Sequence, residues 1–278
     1  MIIPIINKFT CTPSQLNLMI KLINKKNINV ILDYANENFE NHLKTYKQIK
    51  NLIEKYPKNH ISLKLSSFNV QNNKEKAEEY AFNLIDLAKK NNSKILIDAE
   101  NYLIQDKINT ITNNALEYFN KEEVIVYKTY QMYRKDSLDI LKNDILKSKN
   151  YFIGCKLVRG AYYNQDYKYN ILYDKIELTH KNYNNAILFL SNNKKKKDII
   201  MCATHNEDSI NLAKKLSDKF DLEIEFAQLL GMSDGISEEL SKNYRVFKYL
   251  PYGNFNDTLP YLIRRLYENY PMLINIFK

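Results

Sequence analysis

The sequence has 278 residues, of which 45% are hydrophobic and 26% are charged, as in a globular protein with a substantial core. The net charge of +9 comes mainly from lysines spread along the whole chain without an aromatic–basic module, so we expect no nucleic-acid binding. Three cysteines without metal-ligand spacing, no signal-peptide pattern and no apolar run of membrane-spanning length favour a reducing compartment. We expect a cytoplasmic or matrix-type protein, at most peripheral to the inner membrane.

Short apolar runs typical of strands alternate with longer amphipathic segments typical of helices. The predicted strands are Asn29–Tyr34, Ile61–Phe68, Lys94–Ala99, Glu123–Tyr130, Phe152–Arg159, Ile199–Thr204, Glu223–Leu230 and Arg245–Pro251. The predicted helices are a leading one at Pro13–Lys26, and then Glu37–Lys55, Lys74–Lys90, Asn101–Phe119, Asp136–Lys147, Asp174–Asn192, Glu207–Lys219, Ser233–Asn243 and residues 258–270.

Strand–helix units in series, with strands that are nearly continuous apolar runs, predict an α/β protein with a parallel sheet covered by helices. The count of eight strands favours a closed (β/α)8 TIM-like barrel over an open doubly wound sheet. No linker rich in Pro, Gly or Ser interrupts the pattern. We therefore predict a single domain over residues 1–278, with 1–28 as a leading segment and helix and 29–278 as the barrel.

Charged and polar residues collect at the predicted carboxyl ends of the strands, where barrel proteins place their active sites. Burying so many of them costs free energy unless they pair or bind a ligand, although Asp98 alone would also serve as a helix cap. All five glycines lie after residue 150, which indicates a large cofactor over the fifth to eighth strands. Rossmann, P-loop and zincin motifs are missing from the sequence, and no metal site is expected.

The predicted C-terminal helix carries two adjacent arginines. Tyr261, Arg265 and Glu268 share one helix face, and Arg264 lies beside them. Two neighbouring guanidinium groups suit a carboxylate ligand, and the alternative is a solvated Arg–Glu pair at the surface.

The chain contains the motifs DYANE at 33–37, KLS at 64–66, IDAE at 97–100, KLVRGAYY at 156–163, ATHN at 203–206, QLLGM at 228–232, YLPYG at 249–253 and YLIRRLYEN at 261–269. These motifs resemble those of FAD-dependent, monofunctional proline dehydrogenases, and they follow in the same order from about residue 29 to residue 270. The glycine–alanine–tyrosine stretch and the two-arginine helix are the specific ones, whereas KLS alone carries no weight.

The resemblance implies a distorted (β/α)8 barrel that holds FAD and oxidises L-proline to Δ1-pyrroline-5-carboxylate, the first step of proline catabolism to glutamate. It implies that electrons pass to a membrane quinone, with a peripheral membrane contact. Because we identify no second dehydrogenase domain, we expect a separate pyrroline-5-carboxylate dehydrogenase to act downstream.

The resemblance also implies roles for individual residues. Residues expected to bind substrate are Lys64, Asp98, Leu229, Tyr249, Tyr261, Arg264, Arg265 and Glu268. Residues expected to be catalytic are Lys156, Tyr249, Arg264 and Arg265. Residues expected to contact the cofactor are Lys128, Lys156, Val158, Gly160, Ala161, Tyr162, Thr179, Ala203, Thr204, His205, Asn206, Gln228 and Leu229. Glu37 is expected to form a gate by pairing with Arg264 when no substrate is bound.

Lys128 departs from the family pattern, because relatives usually have Gln or Asn facing the flavin there. Either it adds a second cation at the flavin or its side chain points away. Three further hypotheses stay open. A hydroxyproline-preferring relative is disfavoured because Tyr249 would crowd a 4-hydroxyl group. A non-flavin lyase would use a strand-end lysine as a Schiff base. A barrel without catalysis is disfavoured by the set Lys64, Tyr249, Arg264 and Arg265.

Overall fold

The computed structural model describes residues 9–35, 41–254 and 258. Its strands are β1 (Asn29–Tyr34), β2 (His60–Leu63), β3 (Lys94–Ile97), β4 (Val126–Gln131), β5 (Gly154–Val158), β6 (Ile199–Ala203), β7 (Ile224–Leu229) and β8 (Arg245–Tyr252). Its helices are α1 (Leu16–Asn24), α2 (His42–Lys55), α3 (Lys74–Lys90), α4 (Tyr102–Phe119), α5 (Ser137–Lys147), α6 (Tyr163–Asp166), α7 (Ile176–Asn193), α8 (Glu207–Phe220) and α9 (Asp234–Leu240).

The strands form one closed parallel barrel in sequence order. Each strand pairs with the next, and β8 closes the barrel on β1 with a register from Asn29↔Phe247 to Tyr34↔Tyr252. The predicted (β/α)8 fold is therefore confirmed. Because all eight strands are parallel, their carboxyl ends meet at one rim of the barrel, and the loops that follow them share that rim.

Alternating residues along each strand divide between two apolar layers. In β1, Val30 and Leu32 pack outward in the strand–helix layer, whereas Ile31 packs into the barrel interior with Tyr127 and Phe247. The period of two in a strand fixes this division, so a residue's phase along the strand decides which layer it enters. The same phase carries polar side chains at the strand ends either into the barrel mouth or toward the helices.

The structure differs from the sequence prediction at two places around the barrel mouth. The second strand ends at Leu63, and Leu65–Phe68 form a 3-10 turn instead of continuing the strand. The Ser67 hydroxyl donates to the Lys64 carbonyl at 2.6 Å, a local bond that competes with extended structure. The loop between β5 and α7, for which no helix is predicted, contains α6 and a second 3-10 turn at Tyr167–Tyr169.

Asparagine supplies turn conformations that glycine often provides elsewhere. Asn27, Asn92 and Asn170 have φ values of 57°, 54° and 53°, in the left-handed region. Asn27 and Asn92 lie just beyond the ends of α1 and α3, where a left-handed residue terminates a helix. A chain with five glycines can therefore still make the short turns that a (β/α)8 barrel requires.

Candidate active site

A cavity of about 730 Å³ opens at the carboxyl ends of the strands, within the size range of small-molecule sites. Most of the residues predicted to bind substrate or cofactor line it. These are Lys64, Asp98, Lys156, Val158, Gly160, Ala161, Tyr162, Ala203, Thr204, His205, Asn206, Gln228, Leu229 and Tyr249. Phe247, Tyr127 and other interior side chains fill the barrel below, so the cavity has a packed floor.

Five side chains at the base of the cavity form what we call the Asp98 cluster: Ser62, Lys64, Asp98, Lys156 and Tyr249. Lys156 Nζ donates to Asp98 Oδ1 at 2.7 Å, and the Tyr249 hydroxyl donates to Asp98 Oδ2 at 2.7 Å. Ser62 Oγ lies 2.9 Å from the same oxygen, and Lys64 Nζ lies 3.7 Å from it. The cluster joins strand ends from four parts of the barrel, β2, β3, β5 and β8, around one carboxylate.

Asp98 stays ionised in this cluster. Burial alone would raise its pKa, but the charges of Lys156 and Lys64 and the hydrogen bonds from Lys156 and Tyr249 hold the pKa well below its usual range. Lys156 Nζ also lies 5.1 Å from the centre of the Tyr249 ring. The carboxylate therefore fixes both the ammonium group of Lys156 and the orientation of the Tyr249 ring at the cavity wall.

Glu100 belongs to the frame of the site and does not line the cavity. Its carboxylate accepts hydrogen bonds from the backbone and the hydroxyl of Ser66, and its carbonyl accepts one from Gln131 at 2.8 Å. Burial raises the pKa of Glu100, although the bonds from Ser66 act in the opposite direction. Glu100 thus ties together the segments that follow β2 and β3 and the last residue of β4.

Arg159 occupies another part of the cavity. Its guanidinium group donates to His180 Nδ1 at 2.9 Å, to Ser209 Oγ at 3.0 Å and to Thr204 Oγ1, and it lies 4.5 Å from the centre of the Tyr183 ring. Within the described part of the chain it forms no salt bridge, so its charge is held by neutral partners. Burial lowers its pKa. A guanidinium group without a carboxylate partner is suited to bind an anion such as a phosphate.

The ATHN motif starts helix α8 at the cavity. Asn206 is the N-cap, and its side chain accepts from the Ser209 backbone at 2.9 Å. Thr204 Oγ1 accepts from the Asn206 backbone at 3.0 Å, and His205 Nδ1 lies 3.1 Å from Ser233 Oγ. The polar side chains of this motif are thus engaged in shaping the loop, and they place the first turn of α8 at the cavity edge.

Three of the predicted cofactor residues have side chains directed elsewhere. Lys128, predicted to contact the cofactor, instead points to the outer face of β4. Its ammonium group pairs there with Asp144 at 2.7 Å beneath helix α5. Thr179 is buried in α7 and does not line the cavity. Gln228 is one of the lining residues, but its side chain points away from the cavity, where its Oε1 accepts from the Ser237 hydroxyl. Of the two alternatives for Lys128, the structure supports the one in which the side chain points away.

Several lining residues are missing from the predicted site, above all Gln131, Arg159 and His180. Gln131 replaces Lys128 as the polar residue of β4 at the cavity, because these two positions have opposite phases along the strand. Arg159 was among the strand-end charges and lies inside a recognised motif, which was the signal available for it. The predicted substrate, catalytic and gate residues Glu37, Tyr261, Arg264, Arg265 and Glu268 lie outside the described residues.

The barrel and its charged mouth define the molecule as a (β/α)8 barrel protein with a polar cavity at the carboxyl ends of the strands. A family model described as proline dehydrogenase matches residues 18–273. The chain belongs to the proline dehydrogenase family.

Similar curated proteins carry the same name. Proline dehydrogenase 1 of Dictyostelium discoideum is 40% identical over 195 residues, which cover 63% of this chain and 34% of that protein. Proline dehydrogenase 2 of Arabidopsis thaliana is 38% identical over 218 residues, which cover 72% of this chain and 46% of that protein. The chain thus spans less than half the length of these relatives.

Solved structures share the fold at lower sequence identity. Proline utilization A of Corynebacterium freiburgense superposes with a TM-score of 0.85 at 20% identity, over 96% of this chain and 31% of that chain. The corresponding protein of Bdellovibrio bacteriovorus gives a TM-score of 0.81 at 18% identity, over 95% of this chain and 32% of that chain. At these identities the comparison supports the barrel architecture.

The expected cytoplasmic location is wrong, because the curated relatives from Dictyostelium, Arabidopsis and Homo sapiens are named as mitochondrial proteins. In the part of the chain that the structure describes, no helix has the length and apolar character to cross a membrane.

Proposed function

We propose that this chain binds FAD and oxidises L-proline to Δ1-pyrroline-5-carboxylate. The observation that carries the proposal is the Asp98 cluster, which sets two ammonium groups and a tyrosine ring around one ionised carboxylate at the base of a cavity. Membership of the proline dehydrogenase family supports the same reaction. No strand-end Schiff base is needed for it, so the lyase hypothesis has no support from this family.

Different regions of the cavity offer side chains that suit the ring system, the phosphates and the ribose of FAD. Val158, Ala161 and Leu229 offer apolar surface for a flat ring system, and Arg159 offers a cation for phosphates. Glu207 and Asp208 lie in the first turn of α8 at the cavity edge, where carboxylates suit ribose hydroxyl groups. When bound, FAD would supply the capacity to accept a hydride, so the protein is left to orient the substrate and tune the surrounding charge.

The Asp98 cluster would position proline. Lys64 provides a cation for the substrate carboxylate, and the Tyr249 ring provides a wall for the five-membered ring. Lys156, held by Asp98, would provide a positive charge beside bound FAD, and such a charge would stabilise the reduced, anionic form of the flavin. Holding the reacting carbon in place is chiefly a matter of positioning, which accounts for large rate effects.

By family resemblance we extend the substrate site to residues outside the described part of the chain. Arg264 and Arg265 would form a bidentate pair for the carboxylate, with Tyr261 as a second wall and Glu268 orienting the arginines. Glu37 would pair with Arg264 in the absence of substrate. Arg264→Met and Arg265→Met should each raise the KM for proline; unchanged KM values in both would remove the arginines from the site.

Electrons would leave the reduced cofactor to a membrane quinone. The product carries a ring imine that opens to an aldehyde in water, so the next enzyme would be a dehydrogenase that oxidises this aldehyde. Turnover of proline with a soluble quinone analogue as acceptor tests the first step, and a rate no higher with the analogue than without it would contradict the proposed acceptor.

Anaerobic addition of L-proline to the FAD-loaded protein tests the proposed function. We expect the flavin absorption to bleach and pyrroline-5-carboxylate to appear in equal amount. Lys156→Met should retain FAD but slow the bleaching, because the Asp98 cluster itself would then lack one ammonium group. A protein that binds no FAD, or whose FAD stays oxidised with proline, would contradict the proposal.

Hydroxyproline is a second candidate substrate, because the hydroxyproline dehydrogenase of Xenopus laevis is 34% identical over 207 residues, or 68% of this chain. We favour proline because the Tyr249 hydroxyl is held by Asp98, which keeps the ring in a position that would crowd a 4-hydroxyl group. The ratio of kcat/KM for proline and 4-hydroxyproline decides between them, and a ratio below one would reverse our preference.

A further inference from the structure

Asp33 lies directly behind the Asp98 cluster. It is the interior-facing residue at the carboxyl end of β1, two positions after Ile31, and only 1% of its surface is exposed. Its Oδ1 accepts from Lys64 Nζ at 2.5 Å. Asp33 does not line the cavity, and its Oδ2 has no hydrogen-bond partner in the described part of the chain. A buried carboxylate held mainly by one lysine requires an explanation.

The contact determines where the Lys64 ammonium group lies. Nζ is 2.5 Å from Asp33, 3.7 Å from Asp98 Oδ2 and 3.4 Å from the Tyr249 hydroxyl. A lysine side chain has four rotatable bonds, and ordering it costs rotamer entropy. Among the described residues the shortest contact is the one to Asp33, so Asp33 restrains the ammonium group from the side that does not line the cavity.

Among the described residues, the charges within the Asp98 cluster balance only if Asp33 is included. Lys64 and Lys156 supply two positive charges, and Asp33 and Asp98 supply two negative ones. Asp98 is already engaged by Lys156 and by the Tyr249 hydroxyl. Because Lys156 and Tyr249 already donate hydrogen bonds to Asp98, Asp33 is the principal anion for Lys64 among the described residues.

We propose that Asp33 is a positioning residue that fixes Lys64 for the substrate carboxylate. The inference rests on the proposed function, since it assumes that Lys64 meets a carboxylate in the cavity. Asp33 does not line the cavity, and in the described part of the chain its side-chain hydrogen bond is with Lys64, so its effect on catalysis would pass through Lys64. Its loss should therefore weaken binding of proline and leave the rate at saturation nearly unchanged.

Kinetics of the FAD-loaded enzyme test this role. Asp33→Asn keeps the shape and one acceptor but removes the charge, so we expect the KM for proline to rise about tenfold, as for one charge-assisted hydrogen bond reduced to a neutral one. The kcat should stay within about threefold. Asp33→Glu keeps the charge but displaces it, and should raise KM by a smaller factor.

A double-mutant cycle with Lys64→Met separates positioning from a structural role. If Asp33 acts through Lys64, Asp33→Asn raises KM in the native background and has no further effect in the Lys64→Met background. An equal rise in both backgrounds, or an unchanged KM in the native one, would overturn the proposal. If Asp33→Asn does not fold, the same cycle with Asp33→Glu gives the decision on the same criterion.

Glu225→Gln is the matched control. Glu225 is a fully buried carboxylate of β7, below the cavity floor. It accepts a hydrogen bond from the Tyr127 hydroxyl at 3.0 Å and forms an ion pair with Arg245 at 3.1 Å. Its replacement should lower stability and leave KM unchanged. Wild-type enzyme that proline does not reduce would refute the proposed function itself, whereas an active wild type with an additive cycle would refute only the role of Asp33.

Discussion

Replacing Asp98 by asparagine removes the charge on which the cluster depends. Asp98 accepts hydrogen bonds from Lys156, the Tyr249 hydroxyl and Ser62, at 2.7, 2.7 and 2.9 Å. A bond to a charged group contributes about 1 kcal/mol more than a neutral one. Three such bonds therefore predict a loss of about 3 kcal/mol in the free energy of unfolding, at the lower end of values for a broken buried ion pair.

The pH dependence of this loss provides the stricter test. The pKa of Asp98 in the folded protein lies well below its ordinary value of 3.8, so the folded state is stabilised above that value and loses the stabilisation as the pH falls through the folded-state pKa. The difference between wild type and Asp98→Asn should thus be constant from about pH 8 to about pH 5 and narrow only below about pH 4.

Urea unfolding at several pH values measures this difference, with Asp136→Asn as a control. Asp136 pairs with Arg134, but half of the Asp136 side chain is exposed, so we expect a loss of no more than about 1 kcal/mol. A stability difference for Asp98→Asn that already shrinks between pH 8 and pH 5 would show that the folded protein does not hold Asp98 ionised, and the description of the cluster would be wrong.

Other substitutions test separate parts of the account. Lys128→Met should cost about 3 kcal/mol of stability through its broken ion pair, yet leave the flavin reduction potential unchanged; a shifted potential would place this lysine at the flavin after all. Arg159→Met should raise the Kd for FAD about 10- to 100-fold in a fluorescence titration, and an unchanged Kd would remove the proposed phosphate contact. Gly160→Ala should lower the free energy of unfolding by about 3 kcal/mol or more in thermal unfolding, because φ of Gly160 is +136° and the new Cβ would overlap the ring of Tyr133. Gly235 has open space around it, so Gly235→Ala should change stability by less than about 1 kcal/mol. Equal effects of the two substitutions would contradict the packing at Gly160.

The barrel was predictable from the sequence because its determinants are local. Near-continuous apolar runs define the strands, and their number together with the alternating helices specifies a closed parallel sheet. The end of β2 was predicted too far along, since a hydroxyl-to-backbone bond at Ser67 turns the chain where the apolar pattern continues. Such side-chain bonds depend on local geometry that a periodic pattern does not contain.

The lining residues of the candidate site that belong to recognised motifs or lie at predicted strand ends could be predicted from the sequence. The cofactor role of Lys128 was inferred from a motif position, with the alternative that its side chain points away. Its phase along β4 directs it outward and directs Gln131 inward, which supports that alternative. The hydrogen bonds that make Arg159 a candidate anion site come from α7 and α8, which are distant in sequence. The predicted roles of Arg264 and Arg265 stay predictions, because these residues lie outside the described part of the chain.

A crystal structure of the chain with FAD and a non-oxidisable five-membered ring carboxylate would test the central claim most directly. We predict FAD in the cavity at the strand ends with its phosphates at Arg159, and the carboxylate of the analogue against Lys64 beside the Tyr249 ring. FAD bound away from this cavity, or an analogue that contacts neither Lys64 nor Tyr249, would contradict the account.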